Sequence, residues 1–184
     1  MKKVLILILL ISTIFLSGCS SLFNLNGWIM PDDLEFLAVI DSLDTPKKIC
    51  KYMENFEWNI SIHTYSPYQM YLANLENWND TGDCDDFATF ATWVAHYHGF
   101  EVYRVTMWQK FTGFYGLPLI MPHVLGVFVE NGLYTYCNEV FYCPIFTDNF
   151  KEIVDDYVSG NCWVSGVINF KVYDYDNNLI KEGK

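Results

Sequence analysis

Three residues of this chain have the types and spacing for nucleophilic chemistry: Cys84, His123 and Asn138. Cys84 lies in Thr81-Gly82-Asp83-Cys84-Asp85-Asp86-Phe87-Ala88. From Asp85 onward Phe87, Phe90, Ala91, Val94 and Ala95 recur at helical spacing, and Gly99 follows where a left-handed C-terminal residue is expected. The pattern predicts a helix with Cys84 at its N-terminus. Unpaired backbone N–H groups and the positive end of the helix dipole favour a thiolate there, and the thiolate is the nucleophilic form of cysteine. The run from His123 to Asn138 reads as strand, Asn131-Gly132 turn, strand. His123 and Asn138 stand fifteen positions apart near the open end of that hairpin, so their side chains can meet on one face. A thiol, an imidazole to take its proton and an amide to orient the imidazole together make a site for attack on a carbonyl carbon.

The competing residues fit less well. His63 falls in a polar loop, and His96 and His98 fall in the last turn of the cysteine helix, where a cation is favourable. His96 is roughly 18 Å along the helix axis from Cys84, too far to act as its base. Glu139 is the rival orienter of His123 and ranks second, because neighbouring strand residues point to opposite faces. Asp83, Asp85 and Asp86 read first as helix-capping residues. Their charge opposes a thiolate, which assigns most of the thiolate stabilisation to an ion pair with His123. A calcium site lacks EF-hand spacing, and Cys137 and Cys143 lack companions at zinc spacing, so no metal and no cofactor is expected.

The Gly82-Asp83-Cys84-Asp85-Asp86-Phe87-Ala88 helix start, the histidine opening a hairpin and the polar residue fifteen positions later resemble the transglutaminase-like superfamily, which shares the papain-like cysteine-enzyme core. The resemblance runs from about Thr45 to about Asn138, with the three motifs in the family's order. The family's third residue is usually Asp followed by Pro, whereas this chain has Asn138 followed by Glu139 and Val140. Asn can orient an imidazole as it does in papain-type enzymes. The resemblance implies a catalytic set of Cys84, His123 and Asn138 acting on an amide or peptide bond of a protein or peptide through a thioester. Water as acceptor gives peptidase or amidase chemistry and an amine gives crosslinking; hydrolysis is preferred, because many bacterial members resemble proteases. The oxyanion hole is expected to include the Cys84 backbone N–H. Trp78, six residues earlier, is the candidate second donor, with a packed indole as its alternative. The reading from a different class is a surface binding module that keeps the fold without turnover.

The N-terminus indicates where such a protein would work. Lys2 and Lys3 precede an apolar run from Val4 to Leu16 and then Leu16-Ser17-Gly18-Cys19. This is a secretory pattern whose ending resembles the bacterial lipobox. Residues 1–18 are read as a lipoprotein signal peptide, Cys19 as the lipidation site, 19–30 as a tether and 31–184 as one domain. The apolar run is short for a membrane span. Membrane attachment is therefore expected through the lipid, on the extracytoplasmic side. Losing Lys2 and Lys3 leaves 9 basic against 22 acidic residues, a net of −13, which argues against a nucleic-acid partner and against a basic lipid-binding patch. Four more cysteines, Cys50, Cys137, Cys143 and Cys162, allow two disulfides or buried thiols, and the sequence does not choose.

The elements that must position the site follow from pattern. Helices are predicted from Pro31 to Leu43, from Pro46 after Thr45, and from Pro67 after Ser66. A strand is predicted over residues 101–107, then an apolar, glycine-containing segment 108–122 that reads as a substrate wall or lid, a membrane-facing surface, or core. After the hairpin a helix capped by Thr147 runs to about Tyr157, a strand runs from Trp163 to Asp174, and the polar tail from Asp176 ends it or frays. Helices first and strands afterwards predict an α+β fold with the cysteine helix packed on an antiparallel sheet.

Overall fold

Every described helix starts where the sequence supplies a polar cap. The computed structural model describes residues 30–61, 64–76, 82–112 and 118–184. The expected signal peptide, Cys19, the tether up to residue 29, His63 and Trp78 lie outside the described residues. Helix α1 (Leu34–Ser42) is capped by Asp33, whose Oδ1 accepts the N–H groups of Glu35 and Phe36 at 2.9 and 3.1 Å. It thus begins later than the Pro31 start expected. Its buried residues are Phe36 and Ile40, whereas Leu34 is 79% exposed. The aromatic neighbours decide that face: the Phe36 ring lies 5.0 Å from each of the Tyr68 and Tyr71 rings. Helix α2 (Pro46–Met53) is capped by Thr45, and α3 (Pro67–Leu75) by a Ser66–Gln69 capping box, and both start at the prolines expected. Helix α4 (Cys84–Tyr97) is buried continuously from Asp85 to Ala95. Helix α5 (Phe150–Gly160) is capped by Asn149 rather than Thr147. Thr147 instead ends a strand, and its hydroxyl accepts the Asn149 N–H at 3.1 Å.

The described strands are β1 (Val102–Thr112), β2 (Pro118–Glu130), β3 (Leu133–Asn138), β4 (Phe141–Thr147), β5 (Val164–Asp174) and β6 (Leu179–Gly183). They form one antiparallel sheet in the order β4-β3-β2-β1-β5-β6. The β2–β3 turn is built as expected, with Asn131 at φ 55° and Gly132 at φ 81°. The segment 108–122 is not a lid loop where it is described. Strands β1 and β2 continue through it, with Trp108 opposite Pro122 and Phe111 opposite Leu119. Its glycines and prolines hid a ladder whose partners lie on another strand. Nor does the tail fray: β6 pairs with β5, Lys171 standing opposite Glu182. Strand β4 was not anticipated.

The sheet is covered on both faces. On one side Phe87, Phe90 and Val94 of α4 pack with Phe36, Ile49, Met53, Val102 and Phe128. On the other, Val105, Met107, Leu125, Val127 and Tyr136 pack with Phe150, Ile153, Val154 and Tyr157 of α5. Burying each of these large side chains contributes about 1.5–3 kcal/mol. Gly126 sets the closeness of α4 to β2, since a Cβ there would lie 3.3 Å from both the Ala88 carbonyl oxygen and Thr92 Cγ2. The α+β class and the packing of the cysteine helix on an antiparallel sheet hold.

Candidate active site

Cys84 is the first residue of α4 and is half-buried. Asp83 before it is the extended N-cap, with φ −118° and ψ −162°. Asp83 and Asp86 form a capping box in which the Asp83 N–H donates to Asp86 Oδ2 at 3.0 Å. The other oxygen of Asp86 accepts the Tyr65 N–H at 2.7 Å, tying the residues before α3 to the cysteine turn. Asp83 Oδ2 accepts the Ser61 N–H at 3.3 Å. Gly82 is required in this turn: its φ is +117°, and a Cβ would collide with the Asp86 side chain. The backbone position of Cys84 is therefore fixed from both sides.

His123 and Asn138 meet across β2 and β3. Gly126 stands opposite Cys137, so the register brings Asn138 level with Leu125, two residues from His123 on the same face. His123 Nε2 lies 3.0 Å from Asn138 Oδ1. With the amide oxygen accepting, Nε2 carries the proton and Nδ1 carries the basic lone pair. His123 is only 7% exposed, and burial pulls its pKa down to about 4, against the opposing influence of the Asn138 bond and the Asp83 charge. At neutral pH it is a neutral base. Desolvation of the ring thus works against an imidazolium, and so against the standing ion pair expected from the sequence.

The acids around the cysteine divide by environment. Oxygens of Asp83 and Asp85 and the Cys84 sulfur all lie within 4.8 Å of one another. Burial, then a hydrogen bond and charge from Asp83, push the Asp85 carboxyl far above the ordinary range. A protonated Asp85 opposes a neighbouring thiolate less than the sequence alone suggested, and it is a poor cation ligand. With Asp83 accepting from the Asp85 and Ser61 backbone N–H groups, the cluster reads as a capping structure. Glu139, at φ 52° in the β3–β4 turn, is half-buried; burial and then the Asp83 charge raise its pKa. The hydrogen-bonded partner of His123 is Asn138, not Glu139.

Sequence reasoning did not find Tyr157, Gln109 and Asn161. The Tyr157 ring stacks on His123 with centroids 4.9 Å apart and planes 18° apart. Its hydroxyl donates to Gln109 Oε1 at 2.7 Å, and Asn161 Nδ2 donates to that hydroxyl at 3.4 Å. The Cys84 charge reaches Tyr157, where it adds to burial in raising the phenol pKa. A signal was present: Phe150, Ile153, Val154 and Tyr157 form one apolar stripe of α5, and a tyrosine in such a stripe needs a polar partner for its hydroxyl. The two described competing histidines are engaged elsewhere. His98 Nε2 lies 2.9 Å from the Ile40 carbonyl oxygen, and His96 stacks on Tyr175. Cys137 faces the α4 side, opposite to Asn138, and is buried beside Cys50; both are free thiols, as are Cys143 and Cys162.

No family model matches the chain, and no curated protein matches it in sequence.

Proposed function

We propose that this protein is a cysteine hydrolase or acyltransferase of the transglutaminase-like, papain-type class, acting on an amide or peptide bond. The lipobox-like Leu16-Ser17-Gly18-Cys19 supports placing it outside the cytoplasm on a lipid anchor at Cys19. The observation that carries the reading is the 3.0 Å contact of His123 Nε2 with Asn138 Oδ1, on the sheet that packs against a helix beginning at Cys84.

In the proposed reaction the Cys84 thiol gives its proton to His123 Nδ1 as sulfur attacks the carbonyl carbon. Neutral His123 suits a base that takes the proton during attack. The oxyanion develops beside the helix start, where the Cys84 backbone N–H is the donor assigned to it. Collapse breaks the C–N bond, the amine leaves with the proton returned by His123, and a thioester remains on Cys84. Water, deprotonated by His123, then releases the acid; an amine in its place gives a new amide. Asn138 keeps Nε2 engaged throughout.

Alkylation by iodoacetamide tests the reading, with exposed Cys162 as an internal reference thiol. Cys84 should label at pH 7 at least about tenfold faster than Cys162, and a His123→Ala variant should reduce it to the Cys162 rate. Equal rates for the two cysteines in both proteins would refute the enzyme assignment and leave a binding module.

A further inference from the structure

The imidazole of His123 is held by more than Asn138. One hydrogen bond at Nε2 fixes a point on the ring but not its plane, and Nδ1 aims at a thiol only when the plane is fixed too. On the α5 side the plane is set by Tyr157, which is itself 4% exposed and stacked at 4.9 Å and 18°. The 2.7 Å bond from the Tyr157 hydroxyl to Gln109, a residue of β1 that is 5% exposed, holds the far end of the ring and keeps it from swinging away from His123. Asn161, the C-cap residue of α5, approaches the same hydroxyl from the helix end.

We propose that Tyr157, anchored by Gln109, is a positioning residue that fixes the imidazole plane of His123 and shields its face from water. This inference rests on the reading of His123 as the base for Cys84. Tyrosine serves here where phenylalanine would not, because a phenylalanine would leave the buried Gln109 amide oxygen without its donor. A stacked ring also excludes water from one face of the imidazole, in keeping with the low pKa of His123.

The test uses the full chain and two readouts: the NMR titration of the His123 ring and the rate of Cys84 alkylation against pH. Tyr157→Leu should move the His123 titration up by at least about one pH unit toward the ordinary imidazole value and slow Cys84 labelling at pH 7 about tenfold. Tyr157→Phe keeps the ring and should leave the titration near that of the unaltered protein, while releasing the anchor should slow labelling about threefold. Unchanged titration and labelling in folded Tyr157→Leu would overturn the proposal. Should that variant fail to fold, labelling of Tyr157→Phe at the unaltered rate would overturn it. The two readings fail separately. Slow Cys84 labelling in the unaltered protein sinks the enzyme assignment, whereas the change from the unaltered protein to the Tyr157 variants judges the role of Tyr157.

Discussion

His123 on β2 and Asn138 on β3 are joined at 3.0 Å because the hairpin register places them two residues out of step on one sheet face. Replacing Asn138 by Ala releases Nε2 and is expected to slow Cys84 alkylation at pH 7 about tenfold with little loss of fold. Asn138→Asp places a carboxylate against Nε2, which favours the imidazolium and raises the His123 pKa from about 4. That variant should form the ion pair and label Cys84 at lower pH than the unaltered protein. A pH–rate series on the three proteins checks both outcomes.

Burial of a neutral His123 has a consequence for stability. Its folded pKa of about 4 lies below the ordinary 6.5, so between these values the unfolded chain binds the proton that the folded chain refuses. The contribution is fully present above pH 6.5 and is lost as pH falls toward 4, to a limit of about 3 kcal/mol. Asp85, whose pKa is raised, works in the opposite sense: it favours the folded state at low pH and less so as pH rises. The prediction is therefore a difference. Urea midpoints of the unaltered protein minus those of His123→Gln should rise with pH from 4 to 6.5 and level off above it.

Gly82→Ala should destabilise the protein by about 1–3 kcal/mol, since φ +117° is strained for alanine and the new methyl group meets the Asp86 side chain. The damage falls on the capping box that fixes Cys84, so alkylation of Cys84 should slow while that of Cys162 stays constant. Thermal unfolding and peptide-resolved labelling measure the two effects.

The remaining thiols should sort by burial. Cys162 is exposed and should label at once, whereas Cys50 and Cys137, each 1% exposed, should label only after denaturant unfolds the core. Mass spectrometry of labelled peptides at increasing urea would show the order. Early labelling of Cys137 would contradict the packing of β3 against α2 and α4.

Much of the site was legible in sequence because its determinants are local. Helical spacing after Cys84, the capping acids and the positive-φ Asn131-Gly132 turn act over a few residues each. Together they give a cysteine at a helix start and a hairpin that pairs His123 with Asn138. Chain order alone likewise separated early helices from late strands and predicted an α+β fold. The tertiary structure decided what depends on distant partners. Residues 108–111 and 119–122 became strand because each found a ladder across the sheet, and β6 formed because β5 offered an edge. Tyr157 came to lie on His123 because α5 crosses the sheet face opposite α4, a placement that no local pattern encodes. The neutral state of His123 belongs with these, since desolvation depends on everything packed around the ring.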